Sequence, residues 1–222
     1  MSQQSLATAL ITGASRSVGK RLTELLLESG YYVYAQHHRS MIPFEHENLE
    51  WFQLDLAHGD MAKLPVVDRL DALVHCAGIA TLGPTATQPR SEWEAHMDVN
   101  LLGPYELTQH YLPALERSSG QMIYVNSGAG LNTHAHWGAY SASKFAARAW
   151  CEALRQEHKS IRISSVYPGR IATDMQRAIR EQEGGPYTES EYLSVDTVAD
   201  TLLNILTLPA DAHIPDLSIR PR

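Results

Sequence analysis

Short apolar runs alternate along this chain with longer stretches in which apolar positions recur at helical spacing. The short runs are Ala7 to Thr12, Tyr32 to Gln36, Trp51 to Leu54, Ala72 to His75, Gln121 to Asn126, Ile161 to Val166 and Leu217 to Ile219, and they predict strands. The helical stretches are Val18 to Ser29, Glu92 to Arg117 with bends at Pro104 and Pro113, Trp137 to His158, and Val195 to Thr207. Strands that are apolar throughout and alternate with helices imply a parallel sheet covered on both faces, that is, a doubly wound α/β fold of seven strands.

Pro and Gly punctuate the joins, at Pro84, Pro89, Pro168, Gly169, Gly184, Gly185, Pro186 and Pro209, but none opens a linker long enough to divide the chain. Residues 1–222 are therefore expected to form one domain. The stretch from Thr173 to Ser194 is polar and loop-prone with a helical start. It lies where a substrate lid would, and ordinary surface excursions have the same composition.

Composition narrows the function. With 44% hydrophobic residues in 222, the chain can bury a sizeable core. A formal charge of -7, from 18 basic and 25 acidic residues, argues against nucleic-acid or anionic-membrane partners. Cys76 and Cys151 sit in apolar contexts without metal-ligand spacing and read as buried thiols of a reducing compartment. The MSQQS start lacks a charged and apolar leader pattern, and no run approaches 18 apolar residues, so a soluble cytoplasmic protein is expected. The pairs His134 and His136, and His37 and His38, have no carboxylate or Cys company, and no metal is expected.

The YSASK run carries the strongest chemical signal. On a helix, Tyr140 and Lys144 lie one above the other on a single face, with Ser127 thirteen residues upstream. An ammonium beside a phenol favours the phenolate, and a Tyr brought down by roughly three units from about 10 would exchange protons near neutral pH. Alone, such a pair reads first as a solvated decoration of a helix face.

The first strand runs into TGASRSVGK, which opens the first helix. A glycine-bearing loop ahead of a helix N-terminus offers backbone N–H groups and a positive dipole end to a pyrophosphate. Gly13 would make the tight turn and Gly19 the close packing of helix on strand, while Ser17 stands where a further glycine is expected. The second strand ends in QHHRS with no carboxylate between Tyr31 and Ser40 to hold a ribose. Arg16 and Arg39, with His37 or His38 and Ser40, suit a 2'-phosphate instead, so NADP(H) is expected in preference to NAD(H).

Together these residues resemble the short-chain dehydrogenase/reductase family over nearly the whole chain, which implies a single-domain Rossmann fold. TGASRSVG, with Gly13, Ser15, Arg16, Ser17, Val18 and Gly19, is similar to the family's TGxxxGxG. LDL resembles the segment whose Asp touches the adenine, here Asp55 with Leu56, and HCAG resembles NNAG, with Ala77 and Gly78 at the cofactor. VNLLG matches the segment carrying a catalytic Asn, here Asn100. VNSGAG provides Ser127, and YSASK provides Tyr140 and Lys144. PGRIAT, with Pro168, Gly169, Ile171 and Thr173, matches the loop that holds the nicotinamide carboxamide. The gaps of 27 residues from Asn100 to Ser127 and 13 from Ser127 to Tyr140 also fit. The chain departs from the pattern at Ser17 and at Cys76, which replaces an Asn.

The resemblance implies interconversion of a small carbonyl compound and its alcohol. Tyr140 would give the proton, and Ser127 would orient the carbonyl oxygen. Lys144 would lower the Tyr pKa and hold the nicotinamide ribose, and Asn100 would place a water that links Lys144 to solvent. Trp137, His136, Tyr187 and Met175 are candidate walls of an apolar substrate pocket, and Arg170 would meet either an acidic substrate group or a structural partner. The two long helical stretches would pair copies of the chain. The end at SIRPR, just after the last strand, favours a homodimer over a tetramer. The reading from a different class is an NADP(H)-binding regulatory or scaffold protein without turnover.

Overall fold

The computed structural model describes residues 6–39 and 44–222. Seven strands, β1 (Thr8–Thr12), β2 (Tyr32–His37), β3 (Leu49–Gln53), β4 (Ala72–His75), β5 (Gln121–Val125), β6 (Arg162–Pro168) and β7 (Asp216–Ile219), form one sheet in the order β3-β2-β1-β4-β5-β6-β7. Every pairing is parallel. In the register, Ile11 of β1 faces Ala35 of β2 on one side and Val74 of β4 on the other.

Strand alternation divides the core into two layers. Ala9 and Ile11 point to one face, where they pack with Leu22 and Leu26 of α1 (Ser17–Glu28) and with Val198 and Leu202 of α6 (Val195–Leu206). Leu10 points to the other, among Leu107 and Tyr111 of α3 (Gly103–Ser118) and Ala147 and Cys151 of α4 (Gly138–Glu157). On α4 the buried stripe runs Tyr140, Lys144, Ala147, Cys151, the spacing of one helix face. The Tyr and Lys of the YSASK run thus lie on the face that the helix buries against the sheet.

The stretch from Glu92 to Arg117 is not one bent helix. It divides into α2 (Arg90–Met97), a π-helical segment at Asp98–Leu102, and α3. Pro104 lies in the first turn of α3, where its missing N–H is tolerated, and Pro113 is accommodated inside that helix. The irregularity falls just ahead of Pro104 and contains Asn100. Nor does a helix fill every crossover, since the passage from β3 to β4 holds only a short 3-10 turn, Met61–Lys63. Among the described residues no helix is long and apolar enough to cross a membrane.

Candidate active site

Strand order reverses between β1 and β4, and at such a switch point the connections leave in opposite directions and open a crevice beyond the strand ends. A cleft of about 840 Å³ lies there, lined at one end by the β1–α1 turn and at the other by Ser127, Tyr140 and the loop after β6.

At the first end the backbone does the shaping. Gly13 has φ +65°, and a Cβ there would stand 2.9 Å from the Cα of Ala77. A Cβ on Gly19 would stand 2.3 Å from the carbonyl oxygen of Gly13, so the turn closes on itself only with glycine. The α1 N-terminus has no side-chain cap at Arg16 and no acidic residue in its first turn, which leaves its N–H groups and dipole free of a competing anion. Ser17 adopts φ +52°, the left-handed region, at the place where the sequence pattern asks for a glycine. Ser15, Arg16, Ser17, Val18 and Arg39 all border the cleft.

Gln36 was not among the sequence candidates, yet it holds this end together. Its Oε1 accepts from the N–H of Gly13 at 2.8 Å, and its Nε2 donates to the Leu54 carbonyl at 2.6 Å. A polar residue closing the apolar run from Tyr32 to Ala35 was the available signal. At the end of β2, His38 and not His37 faces the cleft. His37 turns toward Trp51, 6.2 Å away between ring centroids, because consecutive strand residues point to opposite faces. Ser40 lies outside the described residues. Asp55 accepts from the Ala57 N–H at 2.9 Å and lies 3.4 Å from His38 Nε2. Chiefly through the Ala57 bond, its carboxyl is held below the ordinary range. Leu56, Ala77, Gly78, Pro168, Gly169, Ile171 and Thr173 also line the cleft.

The other end is built from buried side chains. Ser127 leaves β5 extended, and its Oγ accepts from the Ala129 N–H at 3.1 Å. Asn126 braces it: Oδ1 accepts from the Ser127 N–H at 2.8 Å while Nδ2 donates to the Lys144 carbonyl at 3.1 Å. Asn100 is fully buried, with Oδ1 accepting from the Ile79 N–H at 2.9 Å and Nδ2 donating to the Ile79 carbonyl and to Ser143 Oγ, each at 3.0 Å. Those bonds tie the HCAG turn to α4.

Tyr140 is 7% exposed, and Lys144 is 3% exposed. Burial raises the Tyr140 phenol above its ordinary pKa, and the adjacent Ser127 side chain opposes that rise. The expected depression by Lys144 is not seen. The Lys144 Nζ lies 6.0 Å from the Tyr140 ring centre and donates instead to the Tyr124 hydroxyl at 3.2 Å and the Val125 carbonyl at 3.1 Å. Removal from water brings the Lys144 ammonium down to about 7.

Beyond Tyr140 the wall is apolar. Trp137 packs edge-on at 5.7 Å, and Ala129, Ile179, Ala80 and Leu82 complete a small cluster. Met175 borders the cleft, and His134, which the sequence reading had not placed there, does too. His136 and Tyr187 are not wall residues: His136 sits at φ +68° in an exposed turn, and Tyr187 stacks with Arg177 at 4.1 Å. Arg170 resolves toward the structural role. Its guanidinium makes a bidentate pair with Glu183, at 2.8 and 2.7 Å, and lies 5.8 Å above Trp137.

The family model described as short chain dehydrogenase matches residues 7–184. An uncharacterized short-chain type dehydrogenase/reductase of Sinorhizobium fredii is 27% identical, over 96% of this chain and 90% of that protein. The NADPH-dependent 3-dehydrocapnine reductase of Ornithobacterium rhinotracheale is 29% identical, over 92% of this chain and 80% of its own length. Among solved structures, an alcohol dehydrogenase from the archaeon Thermococcus sibiricus, complexed with 5-hydroxy-NADP, superposes with a TM-score of 0.83. It covers 97% of each chain at 24% identity, a likeness of fold.

Proposed function

Because the chain belongs to the short-chain dehydrogenase family, a family of oxidoreductases, we propose that it reduces an apolar ketone or aldehyde with NADPH, or oxidises the matching alcohol. The observation that carries this reading is the single cleft in which the glycine turn at one end and Ser127, Tyr140 and Lys144 at the other share one space.

The residues at the first end fit the dinucleotide. The capless α1 N-terminus and the Gly13 turn would receive the pyrophosphate, Asp55 would meet the adenine, and Arg16 with Arg39 would meet a 2'-phosphate. Bound NADPH would supply the hydride. The chain's own side chains do the rest. Burial keeps Tyr140 protonated at neutral pH, as an acid must be, and Ser127 beside it would hold the carbonyl oxygen within reach of the phenol. Lys144, held to β5 by the Tyr124 hydroxyl and the Val125 carbonyl, would bind the nicotinamide ribose. Trp137, Ile179 and Met175 favour an apolar group beside the carbonyl. The segment 173–194 acts as the lid, since Thr173, Met175 and Ile179 of its first half face the cleft. The chain works in the cytoplasm as a homodimer.

One variant tests the whole reading. Tyr140→Phe should lower NADPH-dependent reduction across a panel of carbonyl compounds by about 10²–10⁴-fold. In wild type and variant alike, NADP should raise the thermal midpoint more than NAD does. Undiminished turnover would remove Tyr140 from the chemistry. A larger shift with NAD would overturn the cofactor assignment. Absence of any turnover in the wild type would favour the scaffold reading.

A further inference from the structure

Tyr124 belongs to no sequence motif singled out above, yet it lies at the centre of the buried network. It sits on β5 three residues before Ser127 and is fully buried. Its ring packs against His75 and Trp150, each 6.1 Å away between centroids. Its hydroxyl has two partners: it donates to the Asn100 carbonyl and accepts from Lys144 Nζ at 3.2 Å.

The Asn100 carbonyl is available for a local reason. An α-helical bond to it would come from the N–H of residue 104, which is a proline and has none. The π-helical segment Asp98–Leu102 is the backbone's response, and the carbonyl left over is met by a side chain from the neighbouring strand. Asn100 is thereby fixed at both ends, its amide by Ile79 and Ser143 and its carbonyl by Tyr124.

Lys144 is an ammonium with no carboxylate salt-bridge partner among the described residues. The titratable groups around it are Tyr124 on β5, Tyr140 and Cys151 on α4, and His75 and Cys76 at the end of β4. Each is neutral near pH 7. Burial pushes the His75 imidazolium down to about 3 and the thiols of Cys76 and Cys151 up to about 12. Burial also raises both phenols. With no counter-charge, what keeps any proton on Lys144 is hydrogen bonding to two neutral oxygens, the Val125 carbonyl and the Tyr124 hydroxyl.

We propose that Tyr124 is a positioning residue for Lys144, its hydroxyl being the fixed acceptor that joins the ammonium to the Asn100 carbonyl in the place where the family resemblance implies a water. The assignment deepens the proposed role of Lys144 but is tested without turnover. An oxygen borne by a ring that packs against His75 and Trp150 stays in the site, so the charge state of Lys144 depends there on the fold and not on the occupancy of a solvent molecule.

The chain's other lysines, Lys20, Lys63 and Lys159, lie nearer solvent, so a ¹³Cε-lysine NMR titration isolates Lys144. The wild-type signal should titrate near pH 7, and in Tyr124→Phe, which keeps the ring against His75 and Trp150, the midpoint should fall by about one unit. An unmoved or raised midpoint in a folded variant overturns the proposal. A second measurement needs no variant: in wild-type protein carrying ¹³Cζ-tyrosine, assigned by triple resonance, the Tyr124 signal should step at the same pH as Lys144. A Tyr124 signal flat through that pH overturns the proposal equally. Absence of carbonyl reduction in the wild type, beside the expected titration, would count against the proposed function and leave Tyr124 in place.

Discussion

The two ends of the cleft are built in opposite ways. The β1–α1 end is shaped by backbone, with glycines at Gly13 and Gly19 because any side chain would strike Ala77 or the turn itself. The β5–α4 end is shaped by side chains, as Asn100, Tyr124, Asn126, Ser143 and Lys144, all buried, hydrogen-bond one another at the cleft floor. One end should therefore fail when an atom is added, and the other when an atom is taken away. The sharpest test of that contrast, and the largest effect, is Gly19→Ala. A methyl 2.3 Å from the Gly13 oxygen forces the turn open, with an expected loss of about 3 kcal/mol in denaturant unfolding and of the NADP-induced thermal shift. The Lys144 titration should stay where it is. If it moved with the glycine turn, the two ends would be one mechanical unit.

Deletion at the far end has a signature in pH. The folded-state pKa of Lys144, about 7, lies below its ordinary 10.5, so between those values the unfolded chain binds more protons and stability rises with pH. Below about 7 both states are protonated and the full cost of the buried charge is present. From pH 7 to 8.5 wild type should gain about 2 kcal/mol relative to Lys144→Met, because the two thiols, which titrate near 8.5 in the unfolded chain, contribute equally to both proteins. Denaturant unfolding at a series of pH values reads this directly. Parallel curves for the two proteins would mean that Lys144 stays charged, and the side-chain end would lose its description as a buried site without counter-charge.

The same contrast explains what was legible in the sequence. Backbone-shaped sites leave glycines at fixed spacing, so the β1–α1 turn, the seven strands and the order of the motifs could be read from residues alone. Side-chain networks leave no such spacing, because their members come from different elements: Tyr124 from β5, Asn100 from the π segment, Lys144 from α4. Pro104 was visible, but as a bend, whereas its consequence is the carbonyl freed at Asn100. The choice between His37 and His38 needed the exact end of β2, since one residue of register reverses which side chain meets the cleft. The expectation for the Tyr140 phenol failed for a related reason. Helical spacing puts Lys144 beneath Tyr140, but spacing says nothing of the oxygens on β5 that draw the ammonium away.

Ser17 is the exception within the backbone-shaped end, and it carries the smallest prediction. Its φ of +52° suits glycine, and a Cβ in that region is strained, so Ser17→Gly should stabilise the protein by roughly 0.5–1 kcal/mol, or about 1–3 °C in thermal midpoint. A serine kept at such cost fits a hydroxyl that donates to a cofactor phosphate at the α1 N-terminus. If so, the glycine variant should melt higher without cofactor and yet gain less from added NADP than wild type does. Equal or larger gains would mean that the hydroxyl contributes nothing. A smaller gain would show the Ser17 side chain at work in a turn otherwise shaped by its backbone.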